Sequence, residues 1–299
     1  DNAGTAAIKF KREKHTYGCN PAAYVVEFND DISLQKIEFD ATAGSAVMDT
    51  TITAVDRTKS FLLGYIGVAT IHDEMNDLWF RYLFTSDTNV RLVREGTVST
   101  DAVNGTIWVV TDTSGNHFDV QHGSQSVANL LQDNDYTITT IDPDVSSFLY
   151  SVSTPSTGAS EEPIASYGQL VNGSTVRITR TGTSPGAVIT VSYSVITWKD
   201  GTVVQRGFYD HTSGTSNAHT TSDIALPTTP VDRPTSIPYW TLDGHLQLGL
   251  VTGNSYGHIE GYASMYMGGI NDFVVGRRSS TSATRVQGCY EVITFPSVG

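Results

Sequence analysis

Residues 188–205 read Val188-Ile-Thr-Val-Ser-Tyr-Ser-Val-Ile-Thr-Trp198, then Lys199-Asp-Gly201, then Thr202-Val-Val-Gln205. The first eleven are almost all β-branched or aromatic residues and serines, as on a pleated, half-buried surface. Lys-Asp-Gly is a tight turn, because Asp bonds its own backbone and Gly accepts a positive φ. The stretch therefore reads as strand, turn, strand.

Its pattern recurs. Tyr24-Val-Val-Glu-Phe28, Trp108-Val-Val-Thr-Asp112, Ser194-Val-Ile-Thr-Trp198 and Glu291-Val-Ile-Thr-Phe295 share one β pattern. The first three are followed by Ser33-Leu-Gln35, Asp119-Val-Gln121 and Val203-Val-Gln205. The Gln markers are 86 and 84 residues apart. Two further markers lie inside each period. One is Val55-Asp56, Ile141-Asp142 and Val231-Asp232; the other is an Arg-bearing strand at Val90–Arg94, Val176–Arg180 and Phe273–Arg277. A period of this length suits a small all-β domain and exceeds that of ordinary solenoids.

Each period reads as about six strands. In the second they are His117–Gln121, Tyr136–Ile141, Ser147–Ser153, Ser166–Val171, Thr175–Arg180 and Val188–Trp198. Asn172-Gly173 is a hairpin turn between the fourth and fifth. The expected fold is all-β: three tandem antiparallel β-sandwich or small-barrel domains at 29–114, 115–199 and 200–299. Residues 1–28 form an extra N-terminal β-hairpin. Ile8-Lys-Phe-Lys-Arg-Glu13 lines up with Val90-Arg-Leu-Val-Arg-Glu95, and Tyr24–Phe28 with Trp108–Asp112, so this hairpin is a half unit without the four strands that should precede it. A cut beginning at Ile8 leaves 271–299 as the spare hairpin instead. A half unit cannot bury its own apolar face, which points to assembly. Ile8, Phe10, Tyr24, Val26 and Phe28 are the expected assembly residues.

Composition narrows the function. The net charge is −13, with 18 Lys and Arg against 31 Asp and Glu. That balance argues against nucleic-acid binding, which needs a basic footprint. No run of about 20 apolar residues is present, so no membrane-spanning helix is expected. The chain begins at Asp1 and reads as a processed form. A removed secretory signal, maturation of a virion protein and artificial trimming are three routes to it.

Cys19 and Cys289 both precede the same strand type, one in the half unit and one in the last period. They are either unrelated thiols or a disulfide joining the two ends, within one chain or between copies; a disulfide implies an oxidising compartment. Asn104-Gly-Thr106 and Asn172-Gly-Ser174 are sequons at expected hairpin tips, available for glycosylation in a secreted protein. No motif for a catalytic set, a metal or a cofactor stands out: the eight His lack any H-E-x-x-H or C-x-x-C context. The repeated Asp residues read as turn formers, and Arg91, Arg177 and Arg277 as cross-strand partners. Trp240 and Tyr256, in the longer loops of the third period, are candidate glycan contacts.

Val120-Gln-His-Gly123, Ile141-Asp142, Val176–Arg180 and Tyr193–Trp198, with their counterparts, resemble tandem β-domain repeats of prokaryotic extracellular surface filaments and phage structural proteins. The first period departs from this pattern, having Leu34-Gln-Lys-Ile37 without the Gly. The resemblance implies a non-enzymatic structural subunit whose partners are copies of itself, in a head-to-tail homopolymer or a virion lattice. An extracellular filament is the favoured setting and a virion the alternative. A carbohydrate-binding surface protein, with surface glycans as partners, is a further one.

Overall fold

The structure, a computed structural model, describes residues 31–41, 47–68, 80–94, 103–127, 133–153, 166–180, 188–212, 220–225, 236–240, 263–267, 272–277 and 285–296. Among these there is no α-helix. The strands are β1 (Ile32–Ala41), β2 (Val47–Thr51), β3 (Ser60–Val68), β4 (Arg81–Ser86), β5 (Asn89–Val93) and β6 (Val103–Asp112). They continue as β7 (Phe118–Val127), β8 (Asp133–Thr137), β9 (Ser146–Ser153), β10 (Ser166–Asn172), β11 (Thr175–Arg180) and β12 (Ile189–Trp198). The last six are β13 (Val203–Thr212), β14 (Thr220–Ala225), β15 (Ser236–Trp240), β16 (Ala263–Met267), β17 (Asp272–Arg277) and β18 (Arg285–Thr294).

These strands form six three-stranded antiparallel sheets, and their connectivity repeats three times. The orders are β1-β6-β3 with β2-β5-β4, then β7-β12-β9 with β10-β11-β8, then β13-β18-β15 with β14-β17-β16. In each repeat the sixth strand lies between the first and third, and the fifth between the second and fourth. The fifth and sixth places of the third repeat are filled by β17 and β18. Among the described residues, every repeat thus supplies its own closing strands.

Register follows from burial. Along β12, Ile189, Val191, Tyr193 and Val195 alternate toward one core, shared with Ile107 and Val109 of β6 and Ile37 and Phe39 of β1. Ile196 and Trp198 face the other side and are buried too. They join Phe61, Val110, Phe118, Val120, Leu149, Val204 and Ile293 in a second cluster that crosses all three repeats. A strand whose end is buried on both faces reads as a continuous apolar run, which is why the Val-Ile-Thr-Trp ending stands out in the sequence.

The repeated residues have structural work. Gln35 clasps the backbone of Thr53, donating to its carbonyl at 3.2 Å and accepting from its N–H at 2.9 Å. Gln121 does the same to Thr139, at 3.0 and 2.9 Å. Each clasp ties the first strand of a repeat to the segment after the second. Asp56 and Asp142 cap the 3-10 turns Arg57–Lys59 and Pro143–Val145, accepting from the N–H of Thr58 and Asp144. The sequence pattern predicts one strand over Tyr136–Ile141; β8 instead runs Asp133–Thr137. Beyond it, Ile138 and Ile141 instead donate their N–H to Ser174 and Gly173 across the β10–β11 hairpin.

The Arg marker divides in two. Arg91 and Arg177 form two-pronged pairs with Asp49 and Asp135 on the adjacent strand. Arg277 does not share their place: it opposes Ala263 as Arg180 opposes Ser166. Arg94 and Arg180 are buried, at 1% and 2% exposure, and Arg94 stacks over Phe80 at 5.4 Å. Arg91 and Arg94 are three residues apart on one extended segment, so they point to opposite faces.

The missing Gly of the first repeat also has a cause. Gly123 lies opposite Tyr193, and Gly207 opposite Tyr290. A Cβ on Gly123 would sit 2.1 Å from the Tyr193 ring, and one on Gly207 2.5 Å from the Tyr290 hydroxyl. In the first repeat the same pair is Ile37 opposite Ile107. A large–none pair is replaced by a medium–medium pair, which conserves volume in a close-packed core.

Candidate assembly surface

The joints between consecutive repeats are short. Residues 113–117 connect β6 to β7, and 199–202 connect β12 to β13. Each contains a left-handed glycine, Gly115 at φ 74° and Gly201 at φ 90°, where a side chain would be strained. At the first joint Asp112 is buried and accepts backbone N–H bonds from Ser114, Gly115, His117 and Phe118, the shortest 2.6 Å from His117. Burial opposes ionisation of this carboxyl. The N–H bonds and the Ser114 hydroxyl outweigh it and hold the group below the usual Asp range.

Packing across both joints follows one plan. The first strand of a repeat meets the 3-10 turn and third strand of the preceding repeat, and its sixth strand meets the preceding fourth strand. An aromatic chain runs through the joints, from Phe61 to Phe118 at 5.2 Å, Phe118 to Trp198 at 5.5 Å, and Trp198 to Phe295 at 5.4 Å. Trp198 Nε1 donates to Ser147 Oγ at 2.9 Å, so its one polar group is satisfied.

At both joints the residue after the repeated Gln makes a polar contact with the preceding repeat. His122 donates from Nε2 to the carbonyls of Arg57 and Ser60 in the preceding repeat, at 2.9 and 3.0 Å. Its Nδ1 accepts from Ser194 Oγ at 3.0 Å. A Ser–His contact has the form of a nucleophile–base pair, but the next joint shows its role. There Arg206 occupies the His122 place and Glu291 the Ser194 place. Arg206 donates to the Ser146 carbonyl at 2.5 Å, and Ser146 holds the place of Ser60. Both joints therefore close on the carbonyl of the first residue of the preceding third strand.

Glu291 is a strongly perturbed carboxyl. It is 1% exposed, accepts from the Phe148 N–H at 3.0 Å and lies 3.4 Å from Arg206 Nε. Burial pushes its pKa up to about 7; Arg206 and the Phe148 N–H pull it down but do not prevail. Around these groups the joints differ. Lys59 and Lys199 both bind Asp119 at the first, where the second has Val145 and Val203. The Tyr167 ring lies tilted against Phe208, 5.5 Å between centres, where the first joint has Arg81 reaching Ser124 at 3.4 Å.

Among the described residues, the first repeat presents the same face uncovered. Leu34 is 49% exposed, whereas Val120 and Val204 in its place are 5% and 3% exposed. Leu63 is 37% exposed against 8% for Leu149, and Trp108 39% against 1% for Glu291. Lys36 lies beside the Trp108 ring, 6.0 Å from its centre, and pairs with the neighbouring Glu38. Leu63, Trp108 and Lys36 form one row across β3, β6 and β1.

Other expected sites are spread out. Ile8, Phe10, Cys19, Tyr24, Val26, Phe28 and Tyr256 lie outside the described residues. Cys289 is buried on β18 and its thiol donates to Gln169 Oε1 at 3.4 Å. Asn172 is exposed at the end of β10, and its side chain accepts the Ser174 N–H at 2.8 Å, as a hairpin turn requires. Asn104 is exposed but not at a hairpin tip: it lies in β6, with Asp40 and Gly67 opposite it on the flanking strands. Trp240 ends β15 opposite Tyr290. Among the described residues, no three His, Cys, Asp or Glu side chains converge on a metal position, and no helix is long and apolar enough to cross a membrane.

Sequence reasoning passed over His122, Arg206 and Glu291. The trace was there, since the residue following each Gln marker is Lys36, His122 or Arg206, always a nitrogen donor. Comparison with protein-family models, curated proteins and solved structures gives no match.

Proposed function

We propose that this chain is a non-enzymatic structural subunit of a polymeric extracellular filament, built of tandem β-sandwich domains at 29–114, 115–199 and 200–299 and assembling through residues 1–28. One observation carries the reading. The joint between repeats recurs along the chain, and among the described residues the first repeat leaves the same face open, with Leu34 at 49% exposure. A repeated heterologous contact extends without limit when its rotation does not close.

Among the described residues every repeat holds its own fifth and sixth strands, and the sequence of residues 1–28 aligns with one further closing hairpin. Sheet-edge addition is then the assembly mode that fits them. It supplies main-chain hydrogen bonds and covers an edge that otherwise pairs at random. Deletion of residues 1–28 is expected to leave folded, soluble subunits that no longer polymerise. Unchanged polymers after that deletion contradict the reading, and a closed shell in electron micrographs replaces the filament with a virion lattice.

A further inference from the structure

We infer that the open face formed by Leu34, Lys36, Leu63 and Trp108 is the seat for the third repeat of a second copy of this chain, with the Lys36 ammonium bonded to that copy's Ser236 carbonyl. This rests on the head-to-tail reading above and names its contact.

The occupant is set by what covers the equivalent face twice within the chain. At both joints the cover comes from the 3-10 turn, the third strand and the fourth strand of the preceding repeat. The sequence of residues 1–28 aligns with a fifth and a sixth strand, not with the turn, third strand and fourth strand that do the covering. The third repeat has a third and a fourth strand to offer, β15 and β16. Its third strand, β15, is an edge strand of its sheet, as β3 and β9 are of theirs.

Register makes the match residue by residue. Ser236 opposes Thr294 as Ser60 opposes Thr111 and Ser146 opposes Thr197. Its carbonyl is therefore the counterpart of the two that His122 and Arg206 bind. Lys36, in the place of His122 and Arg206, is the donor on the receiving face. Ile237 holds the place of Phe61, whose cluster buries Val120, and Val120 holds the place of Leu34. On the fourth strand, Met265, Tyr266 and Met267 hold the register places of Tyr82, Leu83 and Phe84. An apolar strand thus meets an apolar seat, with one charge-assisted bond to a carbonyl, as inside the chain.

Two measurements on the full-length chain test this. The first is chemical cross-linking of a Cys19→Ser background carrying both Lys36→Cys and Ser236→Cys, using a short bis-maleimide. A ladder of covalent multimers is expected, and neither single variant gives one. The second is sedimentation of Leu34→Asp, whose exposed position leaves the fold intact by circular dichroism. Its assembly midpoint is expected to rise at least tenfold.

Polymers that form without 36–236 cross-links, and that Leu34→Asp does not weaken, overturn the inference while leaving the filament reading standing. Loss of assembly on deleting residues 1–28, with Leu34→Asp unaffected, assigns the face to the chain's own leading segment and likewise overturns it. A wild-type chain that stays monomeric at every concentration overturns both.

Discussion

Arg206 and Glu291 oppose each other on β13 and β18, and both reach back into the second repeat. Arg206 binds the Ser146 carbonyl, and Glu291 takes the Phe148 N–H. A carboxyl that is 1% exposed with a single cation beside it makes this joint sensitive to pH. Its pKa rises from 4.5 unfolded to about 7 folded, so the folded state holds the proton more tightly. The contribution is fully present below pH 4.5 and is lost as pH rises through 7. The difference corresponds to about 3 kcal/mol as an order of magnitude. Other carboxylates titrate in the opposite sense, so the test is a difference. The melting temperature of wild type relative to Glu291→Gln is expected to fall between pH 4.5 and 7, and a constant difference contradicts the assignment.

The Gly–Tyr pairs predict a compensated double change. Gly123→Ala places a methyl against the Tyr193 ring and is expected to destabilise by about 1–3 kcal/mol, as overpacking does. Gly123→Ile with Tyr193→Ile copies the Ile37–Ile107 pair of the first repeat and is expected to recover most of that loss. Urea denaturation of the three proteins decides it. If the double variant is no better than Gly123→Ala, the volume exchange is not the cause.

Gln121 holds both the N–H and the carbonyl of Thr139. Gln121→Ala leaves both groups without that partner, with an expected cost of about 1–2 kcal/mol. Gln121→Glu keeps an acceptor for the Thr139 N–H but loses the donor to its carbonyl, so it should fall between the two. Amide hydrogen exchange at Thr139 should quicken in the same order, and exchange unchanged in Gln121→Ala would refute the clasp.

Asp112 organises the first joint through its carboxylate. Its pKa is lowered in the folded state, so its stabilisation is present above the unfolded value of 3.8 and is lost as pH falls through the folded value. Asp112→Asn removes one acceptor oxygen and is expected to cost about 1–3 kcal/mol, a loss that shrinks at low pH. Limited proteolysis should then cut within residues 113–117 in the variant first. Wild-type resistance at that segment in Asp112→Asn would show that the joint is held otherwise.

Much of the fold was legible because burial imposes period two on every strand. Five of the six strands of the second repeat fall close to their expected places, since apolar residues alternate and turn residues separate them. Tyr136–Ile141 misled because Ile138 and Ile141 are apolar anchors of an extended segment that runs along a hairpin outside β8. Arg277 misled because two Arg places, three residues apart on opposite faces, look alike in a short motif. The joint was the least legible part. Its contacts lie on the outer face of one sheet, where Trp108, Ser194 and Glu291 occupy one place with no shared chemistry. Common to the two joints is only the carbonyl that His122 and Arg206 bind, and a backbone carbonyl leaves no trace in a sequence.

Electron microscopy of the native material, with and without residues 1–28, tests the central claim most directly. The account predicts filaments with an axial repeat of three similar globules per subunit, and dispersed subunits after the deletion. Monodisperse particles from the intact chain, or filaments that survive the deletion, would contradict it.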